Sequence, residues 1–356
     1  MKQMVFPLNG TKVKGVSQPF DLTDPVERVK YFEAKAGEEI KKLKMYMDKN
    51  TFVGFLLGKK QAGKGTYSKM FEEIVGAKRF QLISVGDLVR EANLELVDKN
   101  KKKELLMDFE KKYRGVMPAK EALDWLVNRT VSKLGPTDLI LFLVERAIKR
   151  VGRKSVFIDG FPRDADQVAL SLYLRHVINY RDDPDFMVII SIPEAVINER
   201  IKYRRICPKC QTSRNLKLLV TSDVRYDPAK RDYYLWCDNP ECERGRMAAK
   251  ESDDLGIEPI RDRLNLDQKV METAYGLHGV EKVMLRNAIP AEFADRQFDK
   301  YELTPEFYFE LDKGGKVLVK TRPWVIKDDE GVESYSLMPA PVVLSMVKQL
   351  VGVLGL

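Results

Sequence analysis

A chain of 356 residues, 44% of them hydrophobic, can form one large or two modest domains around a packed core. Lys and Arg number 61 against 53 Asp and Glu, so the net charge is +8, an excess that suits polyanionic ligands. No apolar run approaches bilayer length, and the N-terminus turns polar too soon for a secretion signal, so a cytoplasmic protein with no membrane partner is expected.

Residues 1–50 read as an N-terminal helical extension. Asp24-Pro25 has the form of an N-cap followed by a first helical position. Val26, Val29, Phe32, Ala36, Ile40, Leu43 and Met47 then recur at helical spacing, which predicts an amphipathic helix packed on the core. A partner-binding helix is the alternative.

The most informative stretch runs from Thr51 to Ser68. A short apolar run ends at Gly58, a loop bounded by Gly58 and Gly63 leads to Lys64, and a helix is predicted from Thr66. Strand, loop and helix in that order form a phosphate cradle: loop N–H groups and the helix N-terminus face an anion, and the lysine adds a point charge. The Thr66 hydroxyl can reach a phosphate or the shell of a Mg²⁺ ion.

Further strands are predicted at Phe80–Ser84, Lys154–Asp159 and Phe186–Ile192, the last uniformly apolar as a central parallel strand should be. Between them lie helical stretches: one opening at Val85 with Arg90 one turn in, a Lys- and Glu-rich region from Glu91 to Lys133, and one from Thr137. Strands alternating with helices predict a doubly wound parallel α/β sheet with helices on both faces. Ligands of such sheets sit beyond the carboxyl ends of the strands, where the loop, Asp159 and Arg163 all fall.

All four cysteines lie in one insert. Cys207-x-x-Cys210 and Cys237-x4-Cys242 make two short-spaced pairs in a β-rich stretch, with strands expected at Leu216–Val220 and Tyr233–Trp236. This predicts a tetrahedral four-thiolate Zn²⁺ site, structural because no position stays open for chemistry. An insert this small has little core, so metal binding would supply its folding free energy. Its arginines leave nucleic-acid contact as a minor alternative; nucleic acid is not the expected partner. Beyond Leu264, Lys316–Lys327 and Val332–Leu337 read as a hairpin around Asp328–Gly331, and Pro341–Val351 as a closing helix.

Five motifs stand in the order and spacing of the adenylate kinase family. They are Gly58–Thr66, Ser84–Arg90, Asp159–Gln167, Arg200–Arg205, and Asp253-Asp254 followed by Arg261–Leu264. The resemblance spans roughly 51–264, with a weaker echo in the last helix. It implies a P-loop kinase domain over 51–356, with a monophosphate-binding insert at 85–136, a zinc lid at 204–254 and an extended C-terminal part at 265–356. It also implies Mg-dependent transfer of a phosphate from ATP to AMP, giving two ADP, by a monomer.

Carried over residue by residue, the resemblance assigns ATP to Gly58, Gln61, Ala62, Gly63, Lys64, Gly65, Thr66, Arg200 and Arg204. It assigns AMP to Val85, Gly86, Arg90, Leu134, Gly135, Gly160, Arg163, Gln167 and Arg263. Lys64, Arg163, Arg204 and Arg263 would surround the transferring phosphate, and Asp159 would hold Mg²⁺ through water. Arginine clamps suit a reaction that needs position and charge neutralisation. For the turn facing the adenine, Gly115–Pro118 competes with Leu134–Thr137; the second is preferred because its distance to Asp159 fits one helix and a turn.

The chain also departs from the family pattern. Lys60 and Gln61 replace a proline and a glycine, and Gln61 would strain the loop at positive φ. Val85 replaces a threonine, and Glu251-Ser252 stand where an arginine is usual, with Lys250 the nearest cation. Two other readings follow: a kinase for CMP or UMP, and a nucleotide-sensing or RNA-associated module without turnover.

Overall fold

The computed structural model describes residues 4–16, 18–128, 135–163, 167–168 and 184–356. Leu134, one of the expected acceptor-site residues, lies outside them. The chain opens with α1 (Pro25–Met47), capped by Asp24, whose carboxylate accepts from the N–H groups of Val26 and Glu27. Then come β1 (Val53–Gly58), α2 (Lys64–Val75), β2 (Phe80–Ser84), α3 (Val85–Val97), α4 (Lys99–Lys112), α5 (Ala119–Val127), α6 (Thr137–Val151), β3 (Ser155–Asp159) and β4 (Asp185–Ser191). The α7 helix (Glu194–Lys202) leads to a cysteine module of two hairpins, β5 (Arg204–Ile206) with β6 (Ser213–Asn215), and β7 (Asp223–Asp227) with β8 (Asp232–Trp236). The chain returns through α8 (Arg261–Tyr275) to β9 (Glu281–Arg286), β10 (Ala288–Pro290) and α9 (Ala291–Gln297). It ends with β11 (Pro305–Leu311), β12 (Val317–Pro323), β13 (Val325–Lys327), β14 (Glu333–Ser336) and α10 (Pro339–Val353).

Five strands form one parallel sheet in the order β2-β3-β1-β4-β9, as the alternation of strands and helices predicts. Side chains of β1 alternate between its faces. Phe52, just before β1, and Leu56 join Phe157, Phe186 and the apolar sides of α1, α2 and α10. Val53, Phe55 and Leu57 join Ile158, Met187, Ile189 and residues of α3, α6 and α8. Covering both faces explains why β1 and the middle of β4 are buried throughout. The sheet is thereby fixed between two cores, and its carboxyl edge is a rigid platform.

Three expectations need correction. The apolar stripe of α1 does not run its whole length: Val26 and Val29 are 64% and 51% exposed, while Tyr31 and Lys35 are buried. Ala36 leaves helical geometry (φ −153°, ψ 29°), and this kink re-aims the first three turns. Leu216–Val220 is not a strand, because the Asn215 carboxamide oxygen accepts from the N–H groups of Lys217 and Leu218 (2.9 and 2.8 Å) and turns the chain. The strand read at Lys316–Lys327 breaks at Pro323-Trp324. Its first part, β12, pairs with β11, and only β13 pairs with β14 across Asp328–Gly331. Pro323 lacks an N–H to continue the ladder, and Trp324 turns inward to 5% exposure.

Candidate active site

The phosphate loop joins the end of β1 to the start of α2. Gly63, at φ 96°, precedes the helix, and no side chain caps it, so the N-terminal N–H groups of α2 point outward. Gln61 sits at φ 69°, the left-handed region that the sequence identified as a source of strain. Its carbonyl accepts from Arg200 Nη1 at 3.0 Å, which ties α7 to the loop. Lys64 folds back over the loop: its Nζ donates to the Gly58 carbonyl at 2.8 Å and lies 3.8 Å from Asp159 Oδ1 at the end of β3. Ala62 is buried and Thr66 is exposed at the mouth of the loop; a Cβ placed on Gly65 would meet open space.

The register of β2 with β3 sets Ser84 beside Asp159, so α3 begins next to the chain leaving β3. There Gly160 lies close to Val85: a Cβ on Gly160 would stand 3.4 Å from that of Val85. Gln167 is 2% exposed, accepts from the Arg163 N–H at 2.8 Å and donates to Thr137 Oγ1 at 3.1 Å. It thus fastens the loop after β3 to the start of α6. Gly115–Pro118 and the turn before Thr137 are neighbours rather than rivals, since the Val116 and Met117 N–H groups donate to Asp138 Oδ2 (2.7 and 3.2 Å). Arg90 is the outlying cation: it is exposed, beside Gly86, and paired with Asp87 on its own helix.

The other basic residues converge. Arg204 makes a two-point contact with Asp253, including Nε to Oδ2 at 3.0 Å, and Arg263 Nε lies 2.8 Å from Asp267 Oδ1. Burial and the nearby charge of Arg263 press the Arg163 guanidinium below its usual range. Among the described residues, Arg163 Nε is buried with no hydrogen-bond partner. Burial, then the charges of Arg263, Lys250 and Arg204, lower the Lys60 ammonium from its usual value. Such crowding opposes charge and favours an anion that would relieve it. The geometry therefore offers a polyanion amide donors, Lys64 and several arginines at one sheet edge.

Sequence reading missed three members. Lys59 is buried against Glu194 (3.0 Å) and Asp329 (3.4 Å), tying the loop to α7 and to the turn between β13 and β14. Asp253 was read only as part of an acidic pair, yet it orients Arg204. Asp267 bridges α8 and the loop, and nothing in a linear pattern marks it.

In the cysteine module, the four thiol sulfurs lie within 4.8 Å of one another, with Cys207–Cys242 at 3.7 Å and Cys210–Cys237 at 3.6 Å. A tetrahedral Zn²⁺ with bonds of about 2.3 Å separates its sulfurs by roughly 3.8 Å, so the cluster fits that ion. Asp159 has a side chain 24% exposed beside Lys64, which suits a carboxylate reaching Mg²⁺ through water.

No family model matches the chain. Among curated proteins it is similar to an adenylate kinase of Kosmotoga olearia, 32% identical over 163 residues, which are 45% of this chain and 63% of that protein. The adenylate kinase of Thermotoga petrophila is 32% identical over 162 residues, 45% of this chain and 61% of that protein. That of Thermotoga neapolitana is 29% identical over 232 residues, 64% of this chain and 86% of the relative. The matches at 32% identity thus span about three fifths of the relatives' length.

Proposed function

We propose that the chain, which is similar to adenylate kinases over part of its length, is a member of that family and transfers the terminal phosphate of ATP to AMP, reversibly, giving two ADP. The observation that carries this reading is the buried Nε of Arg163, which has no hydrogen-bond partner among the described residues and feels the charge of Arg263. Cations crowd this edge although Arg204 and Arg263 each hold a carboxylate, and a phosphate oxygen would give the Arg163 Nε a partner.

The loop amides and Lys64 would hold the ATP phosphates, and Lys64 would leave the Gly58 carbonyl to do so. Arg90, Arg163 and Arg263 would hold the AMP phosphate. An AMP phosphate oxygen attacks the γ-phosphorus, the bond to the β–γ bridging oxygen breaks, and that oxygen keeps the electron pair on the departing ADP. Negative charge on the transferring group would face Lys64, Arg163, Arg204 and Arg263, which would stabilise it once the nucleotides are bound. Asp159 would hold Mg²⁺ through water, and the bound ion would neutralise charge on the ATP phosphates. Arg200 and Arg204 stand at the entrance to the cysteine module, so its closure would exclude water from the reaction. Zn²⁺ on Cys207, Cys210, Cys237 and Cys242 would stiffen that module without taking part in chemistry.

Adenine preference is the finer part of the reading. The Gln167 amide gives one N–H to Thr137, and its second N–H would be the donor that reads an adenine edge. Assaying AMP, CMP, UMP and GMP with MgATP tests this: AMP is expected to be the best acceptor. Preference for a pyrimidine monophosphate would overturn the role given to Gln167, and nucleotide binding without transfer to any acceptor would overturn the kinase reading.

A further inference from the structure

The site contains one carboxylate that serves two elements at once. Asp267 lies one turn beyond Arg263 on α8 and is 7% exposed. Its Oδ1 stands 2.8 Å from Arg263 Nε, and its Oδ2 accepts from the Lys60 N–H at 2.9 Å. One side chain therefore joins α8 to the phosphate loop. Its negative charge also opposes the loss of charge on Lys60 and Arg163.

Three separate elements hold the proposed reactants. The donor lies on the loop after β1, the acceptor beside the chain leaving β3, and Arg263 on α8. Transfer in line needs donor and acceptor oxygens aligned, and displacement by about 1 Å costs on the order of 10²-fold in rate. Arg263 has a long, partly exposed side chain that would otherwise sample several rotamers. Asp267 holds it by the Nε edge and references it to the loop backbone.

Resting on the kinase reading above, we propose that Asp267 is a positioning residue for phosphoryl transfer, fixing the Arg263 guanidinium relative to the phosphate loop. It does not touch substrate. A carboxylate among phosphate-binding cations repels the ground-state nucleotides, so it opposes binding while aligning the transfer. That combination separates it from a group that only stabilises the fold.

The test is steady-state kcat and KM for ATP and AMP, with thermal unfolding, on full-length wild type, Asp267→Asn and Asp267→Glu. For Asp267→Asn, kcat should fall ten- to a hundredfold while KM for each nucleotide stays the same or drops, in a protein that is still folded at the assay temperature. A fall in kcat without a rise in KM marks an interaction that matters in the transition state rather than in binding. Asp267→Glu keeps the charge but displaces it, and should lie between the two. If Asp267→Asn does not fold, Asp267→Glu decides: kcat below wild type at unchanged KM supports the role, and wild-type kcat overturns it. Unchanged kcat in folded Asp267→Asn, or a rise in KM alone, also overturns it. Wild type that forms no ADP would overturn the kinase reading itself, whereas active wild type with an equally active Asp267→Asn overturns only this inference.

Discussion

Lys35 shows what a single residue contributes to this fold. Its ammonium is fully buried and contacts Glu302 at 2.9 Å and Asp299 at 2.6 Å, and Glu302 is itself fully buried. Tyr31 and Thr11 hydroxyls donate to the same Glu302 carboxylate at 2.7 and 2.5 Å. Burial, then the Glu302 charge, keep the Tyr31 phenol well above its usual range, so it remains a donor. Removing the lysine leaves a buried carboxylate without its countercharge, a loss of about 3–5 kcal/mol. Lys35→Ala should therefore lower the denaturant midpoint strongly, whereas exposed Lys30→Ala should change it little; equal, small effects would show that the network carries no such weight. The position reads in sequence as a polar residue on a solvated face. The kink at Ala36 and partners more than 260 positions away decide otherwise, and neither leaves a local signal.

At the scale of elements, what was legible was what is local. The phosphate loop, four of the five parallel strands and the cysteine pairs follow from short-range spacing and apolar runs; β9, beyond the last motif, was not read as a strand. The fate of β12 does not follow either, because its partner β11 was not read as a strand. That hairpin bears on the cysteine module. The Phe307 N–H donates to the Lys217 carbonyl at 2.7 Å, Lys217 lies 3.3 Å from Glu306, and the rings of Phe309 and Tyr233 stand 5.1 Å apart. The module is thus not hinged on its two ends alone. Gly256, where the module rejoins the core, has φ 63° and lies so close to α7 that a Cβ would stand 2.0 Å from Asn198 Oδ1. Its lack of a side chain serves close packing as well as backbone rotation. Stripping zinc with a strong chelator, or Cys237→Ser, should speed hydrogen exchange across 207–242 and unprotect the Phe307 amide, while β1 stays protected. AMP should still bind at ordinary temperature. Equal loss of protection in β1, or loss of binding of both nucleotides, would mean that the metal supports the whole domain.

Across the whole molecule, the N-terminal segment and the C-terminal helices pack together in one layer. The segment before α1 meets the end of α9, where the Thr11 and Lys12 N–H groups donate to the Gln297 carbonyl (2.9 and 3.1 Å), and α1 shares a core with α2 and α10. The N-terminal helix packs on the core, as its apolar spacing predicts. This layer lies on the face of the sheet that carries Leu56, Phe157 and Phe186, while the loop, Asp159, Arg163 and the arginines of α7 and α8 gather at the carboxyl edge. The central claim is that this edge moves a phosphate between nucleotides, with Lys64 holding the donor. The most direct test is to follow ATP and AMP with Mg²⁺ by ³¹P NMR, using wild-type protein and Lys64→Ala. The expected result is conversion to ADP by the wild type and a loss of about 10²-fold or more in the variant. Conversion by Lys64→Ala at the wild-type rate, or no ADP from the wild type, would contradict it.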